Sequence, residues 1–225
     1  RPTVEADWLD KVRAVVDSKP LSDSGLPLCP RAILRGMDKL RPADSIVATD
    51  VGQHQMWTAQ TVHIERPRTW LTSGGLGTMG FGMGAAIGAA CGTGKRVVLV
   101  TGDGSFHMNM NELMTASRLR LPITVLLFNN HTLGMVRQWQ TLFYGKRYSS
   151  TTLDLPTDYV KLAEALGAES MVLDKNADID AVLKKALSRP NPVLVDCRLA
   201  RDEMVLPMIP PGKGMDDMIT DLNEL

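Results

Sequence analysis

"VVLVTGDGSFHMNMNELMTASRLRLPITVLLFNN", residues 97–130, contains two apolar runs, each closed by small polar residues: Gly-Asp-Gly at 102–104 and Asn-Asn at 129–130. Short runs of Val, Ile and Leu bounded by turn residues read as strands buried on both faces. The amphipathic "NMNELMTASRL" between them predicts a helix, so the stretch is a strand, a covering helix and a second strand parallel to the first. The pattern recurs. Further strands are predicted at "SIVATD" (45–50), "ESMVLD" (169–174) and "PVLVDCR" (192–198). Helical patterns separate them: "CPRAILRGMDKL", "GQHQMWTAQTV", "MGFGMGAAIGAA", "LGMVRQWQTLF", "PTDYVKLAEALG" and "DIDAVLKKALS". The expected fold is α/β, a parallel sheet with helices on both faces.

The 225 residues suffice for one domain with a sizeable core, and 25 acidic side chains balance 25 basic ones. Zero net charge gives no electrostatic reason to expect nucleic acid or an anionic membrane as a partner. Cys29, Cys91 and Cys197 are scattered and form no Cys-x-x-Cys pair, which suggests reduced thiols in a cytosol-like compartment. The opening "RPTVEADWLDKVRAVVDSKP" reads as a charged amphipathic helix rather than a signal or transit peptide. Residues 71–94 carry no charge, yet Gly, Ala and Thr dominate them, so a loop and a buried helix are expected there instead of a membrane span. Gly80, Gly84 and Gly88 in that helix have the spacing of a smooth packing face. The expected organisation is a connector helix and linker over 1–30, a ligand-binding domain over 31–200 and a C-terminal arm over 201–225.

In open parallel sheets, ligands bind at the carboxyl ends of the strands. "TDVGQH", "TGDGS" and "NNHTLG" follow three of the predicted strands and are expected to converge there. Gly102 and Gly104 allow close approach of the main chain to an anion, and amides opening a helix can cradle phosphate. Asp103 offers a hard carboxylate, and Asn130, twenty-seven positions later, a neutral amide oxygen. The pair suits Mg²⁺, which takes oxygen ligands and shares them with a substrate phosphate. Either half alone is as often a simple turn; the two together, separated by one helix and one strand, are more specific.

Gly-Asp-Gly followed by twenty-four residues and Asn-Asn resembles the motif of the C-terminal, diphosphate-binding domain of thiamine diphosphate (ThDP) enzymes. Within that family, "TDVGQHQMWTAQ", "TSGGLGTMGFG", "GDGSFHMNMNEL", "NNHTLGMVRQWQTLFYGKRYS" and "PPGKGMDDMI" are similar to acetolactate synthase catalytic subunits, and the resemblance covers essentially the whole chain. It implies that Asp103, Asn130 and the Thr132 carbonyl bind Mg²⁺. It further implies that Gln53 and His54, with Gly77 and the main chain around Gly102, Gly104, Ser105, Gly134 and Met135, hold the diphosphate. Met79 would be the bulky residue beneath the cofactor that bends it into its reactive shape, a catalytic part; an ordinary core methionine is the alternative. Trp139 would line the substrate pocket and favour 2-ketobutyrate, although its spacing also suits a core aromatic. Arg137 and Gln138 read as surface or interface groups, and Glu112 is given no chemistry.

The same resemblance implies a parent enzyme that decarboxylates pyruvate and joins the two-carbon unit to a second pyruvate or to 2-ketobutyrate, in branched-chain amino-acid biosynthesis. FAD in the full-length parent, a homodimer or tetramer, and a regulatory small subunit are expected by the same route. A bacterial cytoplasm is the expected compartment, with a plastid as the alternative. The glutamate that activates ThDP belongs to an N-terminal pyrimidine-binding domain in this family, so the chain is expected to be the last third of a catalytic subunit and silent alone. Another ThDP-dependent decarboxylase or carboligase is the competing enzyme reading, and a non-catalytic assembly module the competing reading of another class. "CGTGKR" fails as a phosphate loop because position 89 is Ala and Arg96 follows the lysine.

Overall fold

A computed structural model describes residues 6–18, 28–154 and 157–221. Of the connector and linker expected over 1–30, residues 1–5 and 19–27 lie outside them, as do the last residues of the arm. The chain divides into two compact units, residues 25–205 and residues 1–24 with 206–225. The smaller contains helix α1 (Ala6–Ser18) and an antiparallel bridge in which Met208 and Ile219 exchange main-chain hydrogen bonds of 3.0 and 2.8 Å.

The larger unit runs α2 (Pro30–Leu40), β1 (Ile46–Thr49), α3 (Gln53–Thr61), β2 (Trp70–Leu71), α4 (Phe81–Thr93), β3 (Val97–Gly102), α5 (Asp103–Phe106), α6 (Glu112–Arg118), β4 (Ile123–Asn129), α7 (Gly134–Phe143), α8 (Tyr159–Ala165), β5 (Glu169–Leu173), α9 (Ile179–Leu187) and β6 (Val193–Arg198). Its strands form one six-stranded sheet in the order β2-β1-β3-β4-β6-β5, and every pairing is parallel. The α/β fold expected from the apolar runs is the fold observed.

Side chains of a strand alternate between faces, and the core divides accordingly. Val98, Val100, Leu126 and Val195 pack with Ile33, Leu34 and Met37 of α2, Trp57 of α3 and Leu183 of α9. On the other face, Val97, Leu99, Val125 and Leu127 pack with Met83 and Ala86 of α4, Leu113 and Ala116 of α6 and Ala163 of α8. No described helix is long and apolar enough to cross a membrane. Cys29 and Cys197 are buried free thiols, and Cys91 is an exposed one.

Two features depart from expectation. Strand β2 has only two half-buried residues, too few for an apolar run, and it forms because the edge of β1 supplies its partners. Helix α4 is buried on one side only: of the predicted row, Gly80 at the N-cap is closed in, with a Cβ there lying 2.8 Å from Met108 Cβ, but within the helix the glycine that packs on the sheet is Gly82. A Cβ on Gly82 would lie 2.6 Å from Leu99 Cδ1 and 3.0 Å from the Asp50 main-chain nitrogen, whereas Gly84 and Gly88 have nothing within 4 Å. The helix places 82, 86 and 90 against the sheet, and 84 and 88 point away from it. In urea denaturation, Gly82→Ala is expected to cost about 1–3 kcal/mol by overpacking. Gly84→Ala and Gly88→Ala are expected to raise stability by up to about 1 kcal/mol each, through helix propensity alone.

Candidate functional site

After β1 the chain lays β2 on one side and then returns to lay β3 on the other. The loops leaving the carboxyl ends of β1 and β3 therefore diverge, and a crevice opens between them. A cavity of about 270 Å³ lies there. Its lining gathers twelve of the thirteen residues singled out in the sequence: Gln53, His54, Gly77, Met79, Gly102, Asp103, Gly104, Ser105, Asn130, Thr132, Gly134 and Met135. The thirteenth, Trp139, lines an adjoining open groove of about 690 Å³ with Val136, Gln140, Tyr144 and Arg147, and the two spaces meet at Met135 and Val136. Trp139 is 37% exposed and meets Phe143 edge-on, so it is not a core aromatic.

Helices α3 and α7 both begin at this cavity, and neither has a side-chain hydrogen bond at its N-cap, Gly52 or Leu133. Their first amides and the positive ends of their dipoles suit an anion. No lysine or arginine is among the lining residues. The carboxylate in the lining, Asp103, accepts from Gly104 N at 2.8 Å and His131 N at 2.6 Å. Burial pushes its carboxyl up to about 6, against the pull of those main-chain bonds. A buried carboxylate with no cationic side chain beside it, next to uncapped helix ends, fits a divalent cation bound together with a phosphate group.

The two asparagines of the motif have different tasks. Asn129 turns back into the sheet and donates to Asp196 Oδ1 at 2.9 Å, tying β4 to β6. Asn130 lines the cavity, where its Oδ1 accepts from Thr132 N at 3.2 Å. The Thr132 hydroxyl and the Leu133 N–H both donate to the Thr151 carbonyl, at 2.7 and 2.8 Å. That strap from residues 151–153 braces the loop after β4 and has no signature in the sequence.

His54 is buried rather than solvated at its helix end, and it packs on glycine. A Cβ on Gly102 would sit 2.9 Å from His54 Nδ1, so Gly102 is needed for the histidine as well as for any ligand. Burial lowers the imidazole to about 3, which keeps it neutral, and its Nε2 is buried with no partner among the described residues. A buried nitrogen of this kind calls for a ligand atom. Behind it, Asp50 accepts from Gly82 N at 2.9 Å and the Thr101 hydroxyl at 2.8 Å, bracing the crevice from below. Nothing in the sequence marked Asp50, because aspartate after a strand is ordinary turn composition.

Gln138 corrects the sequence reading. Gln138 is buried, not a surface group, and Gln53 Nε2 donates to Gln138 Oε1 at 3.0 Å and to the Glu203 carbonyl at 2.7 Å. Both donor hydrogens of Gln53 are thereby engaged inside the chain, and its side chain faces Asn130. Glycine is required at 134, where a Cβ would strike Gln53 Oε1. At Gly104 a Cβ would strike Leu133 and lie 3.7 Å from Met79 Cε, which places that methionine against the Gly-Asp-Gly turn. Glu112 bonds only to Asn111 and Thr115 among the described contacts, away from the cavity.

A doubly covered parallel sheet with an anion-receptive crevice and a lone carboxylate beside an asparagine defines a class of phosphate-and-metal-binding α/β domains. Residues 50–197 match the model of the thiamine pyrophosphate enzyme C-terminal TPP-binding domain, and the chain belongs to that family. It is 43% identical over 192 residues to the acetolactate synthase isozyme 2 large subunit of Escherichia coli, an alignment covering 85% of this chain and 35% of the relative. Against the acetolactate synthase large subunit of Pyropia yezoensis it is 41% identical over 94% of this chain and 35% of the relative. Against the chloroplastic acetolactate synthase 2 of Nicotiana tabacum it is 41% identical over 95% of this chain and 33% of the relative. The chain thus spans about a third of the length of these curated relatives.

His54 and Asp103 impose opposite pH dependences on folding. The His54 pKa falls from 6.5 to about 3, so its contribution is complete above pH 6.5 and is lost as pH falls toward 3. The Asp103 pKa rises from 3.8 to about 6, so its contribution is present below pH 3.8 and is lost as pH rises through 6. In thermal melts of the metal-free chain from pH 4 to 7.5, His54→Gln is expected to reduce the loss of stability on acidification. Asp103→Asn is expected to reduce the loss on alkalinisation.

Proposed function

We propose that this chain holds the diphosphate end of ThDP together with Mg²⁺, as the C-terminal part of an acetolactate synthase large subunit. The observation that carries this reading is the register of β3 and β4, which sets Asp103 and Asn130 side by side at a cavity where two uncapped helices begin. In this reading Asp103, Asn130 and the Thr132 carbonyl take the metal. The amides around Gly102, Gly104, Ser105, Gly134 and Met135 face the diphosphate oxygens, with the open Nε2 of His54 beside them. Gln53 would serve the site by holding Asn130, and Gly77 and Met79, which line the cavity, would lie under the cofactor. The absence of lysine and arginine in the lining makes the metal the main source of positive charge for a diphosphate.

Bound ThDP supplies the nucleophilic carbon of the reaction. The residues of this chain bind and orient it, and the groove at Trp139 receives the second 2-keto acid. The parent enzyme would convert two pyruvates to 2-acetolactate, or pyruvate and 2-ketobutyrate to 2-aceto-2-hydroxybutyrate, toward valine, leucine and isoleucine. FAD in the parent, a homodimer or tetramer and a regulatory small subunit belong to the same proposal. Relatives occur in bacteria and as chloroplastic forms, and a bacterial cytoplasm is the proposed compartment. A connector over 1–30, a cofactor domain over 31–200 and an arm over 201–225 remain the proposed organisation.

Titration calorimetry of ThDP into the chain tests the site. Binding is expected with Mg²⁺ and to be abolished by EDTA or by Asp103→Ala; binding that survives both sinks the metal assignment. Pure chain mixed with pyruvate, ThDP and Mg²⁺ is expected to form no acetolactate.

A further inference from the structure

Behind the cavity, three buried carboxamides form a relay whose direction the main chain sets. At one end the Val205 N–H donates to Gln138 Oε1 at 2.9 Å, and Gln138 Nε2 donates back to the Val205 carbonyl at 2.8 Å. A main-chain N–H can only donate and a carbonyl can only accept, so Gln138 has one way to sit. Its oxygen then also accepts from Gln53 Nε2 at 3.0 Å. The Glu203 carbonyl, 2.7 Å from that same nitrogen, independently demands a donor there. Gln53 must therefore turn its oxygen toward Asn130, whose Nδ2 lies 3.4 Å away. At the far end the Thr132 N–H, 3.2 Å from Asn130 Oδ1, demands an acceptor. Every link agrees with its neighbours.

The two ends of a carboxamide are nearly equal in size, so packing alone does not choose between them; hydrogen-bond partners do. The choice matters at Asn130, since a cation is bound by the oxygen and repelled by the NH₂ group. We infer that Gln138 is a positioning residue for the metal: acting through Gln53, it holds Asn130 with its oxygen available to a divalent cation. The inference rests on the metal reading of Asp103 and Asn130 proposed above. It adds a condition, because Gln138 keeps its orientation only while residues 203–205 lie along α7. Metal binding is thereby coupled to the docking of the segment that leads into the C-terminal residues. Gly134 makes the relay possible: a Cβ there would strike Gln53 Oε1 and come within 2.9 Å of Asn130 Nδ2.

The test is a double-mutant cycle on the 225-residue chain, read as the Mg²⁺ concentration that gives half-maximal ThDP binding by calorimetry. Gln138→Met is expected to raise that concentration about tenfold, the usual scale for losing a partner that orients a ligand. In an Asn130→Asp background both carboxylate atoms are oxygens and no orientation is needed, so the same substitution is expected to shift it less than about twofold. Equal shifts in the two backgrounds, or no shift in the first, overturn the inference, because Gln138 would then act by packing alone or not at all. Should Gln138→Met fail to fold, Gln138→Glu keeps the acceptor for Gln53 and for the Val205 N–H, loses the donor to the Val205 carbonyl and adds a carboxylate. Near-unchanged Mg²⁺ dependence in that variant supports the relay, and its loss overturns it. Asp103→Ala separates the two levels. Mg²⁺ dependence that Asp103→Ala abolishes and Gln138→Met leaves intact overturns the relay alone, whereas dependence that survives Asp103→Ala removes the metal reading and the relay with it.

Discussion

The parallel pairing of β3 and β4 is the constraint from which the rest of the domain follows. The two strands match residue for residue from Val97 against Ile123 to Gly102 against Phe128, and both are buried on both faces. A slip of β4 by one residue would turn Leu127 into the face that packs α2 and α3, and Leu126 into the face that packs α4 and α6. Both cores therefore hold the same register. Because the register is held, Asp103 and Asn130, each just past the end of its strand, arrive side by side. The apolar interior thus places the polar pair, and the Asn130 main chain also bonds to the Asp103 carboxylate.

At the end of those strands the site is assembled from groups that are individually unfavourable to bury. Asp103 carries a carboxyl raised by desolvation, and His54 is held neutral with one nitrogen unanswered. Each would lower the stability of the domain if nothing occupied the crevice, which is the common condition of binding sites. The framework around them is braced by other bonds: Asp50 accepts from Gly82 and Thr101, Asn129 Nδ2 donates to Asp196, and the Thr132 hydroxyl donates to the Thr151 carbonyl. The open Nε2 of His54 belongs to a residue that lines the cavity.

Much of the fold was legible because its signals are local. The runs at 97–102 and 123–129 are apolar on both faces and alternate with helical patterns, which is the signature of a doubly covered parallel sheet. Gly102, Asp103 and Asn130 were legible for the same reason, lying at the ends of those runs. Trp70 and Leu71 were not, since a two-residue strand takes its identity from the edge it joins. Gly82 was not separable from Gly84 and Gly88, because one helix offers all three as small residues and only the position of the sheet selects among them. Gln138 reads in the sequence as a surface or interface group, since a polar residue on an amphipathic helix normally is one.

The sequence by itself determined the layered α/β architecture, the strand ends that carry the ligand-directed loops, and the acidic and amide groups offered there. These depend on periodicities of two and 3.6 residues and on turn chemistry, all properties of short stretches. Tertiary structure alone decided that β1 lies between β2 and β3 so that a crevice opens, that Trp139 lines an adjoining groove, and which atom of Asn130 the relay leaves for a ligand. Those depend on groups brought together from distant parts of the chain, as when residues 203–205 return to meet Gln53 and Gln138. No local pattern encodes such a meeting, because the partners become neighbours only once the sheet has set the distances between them.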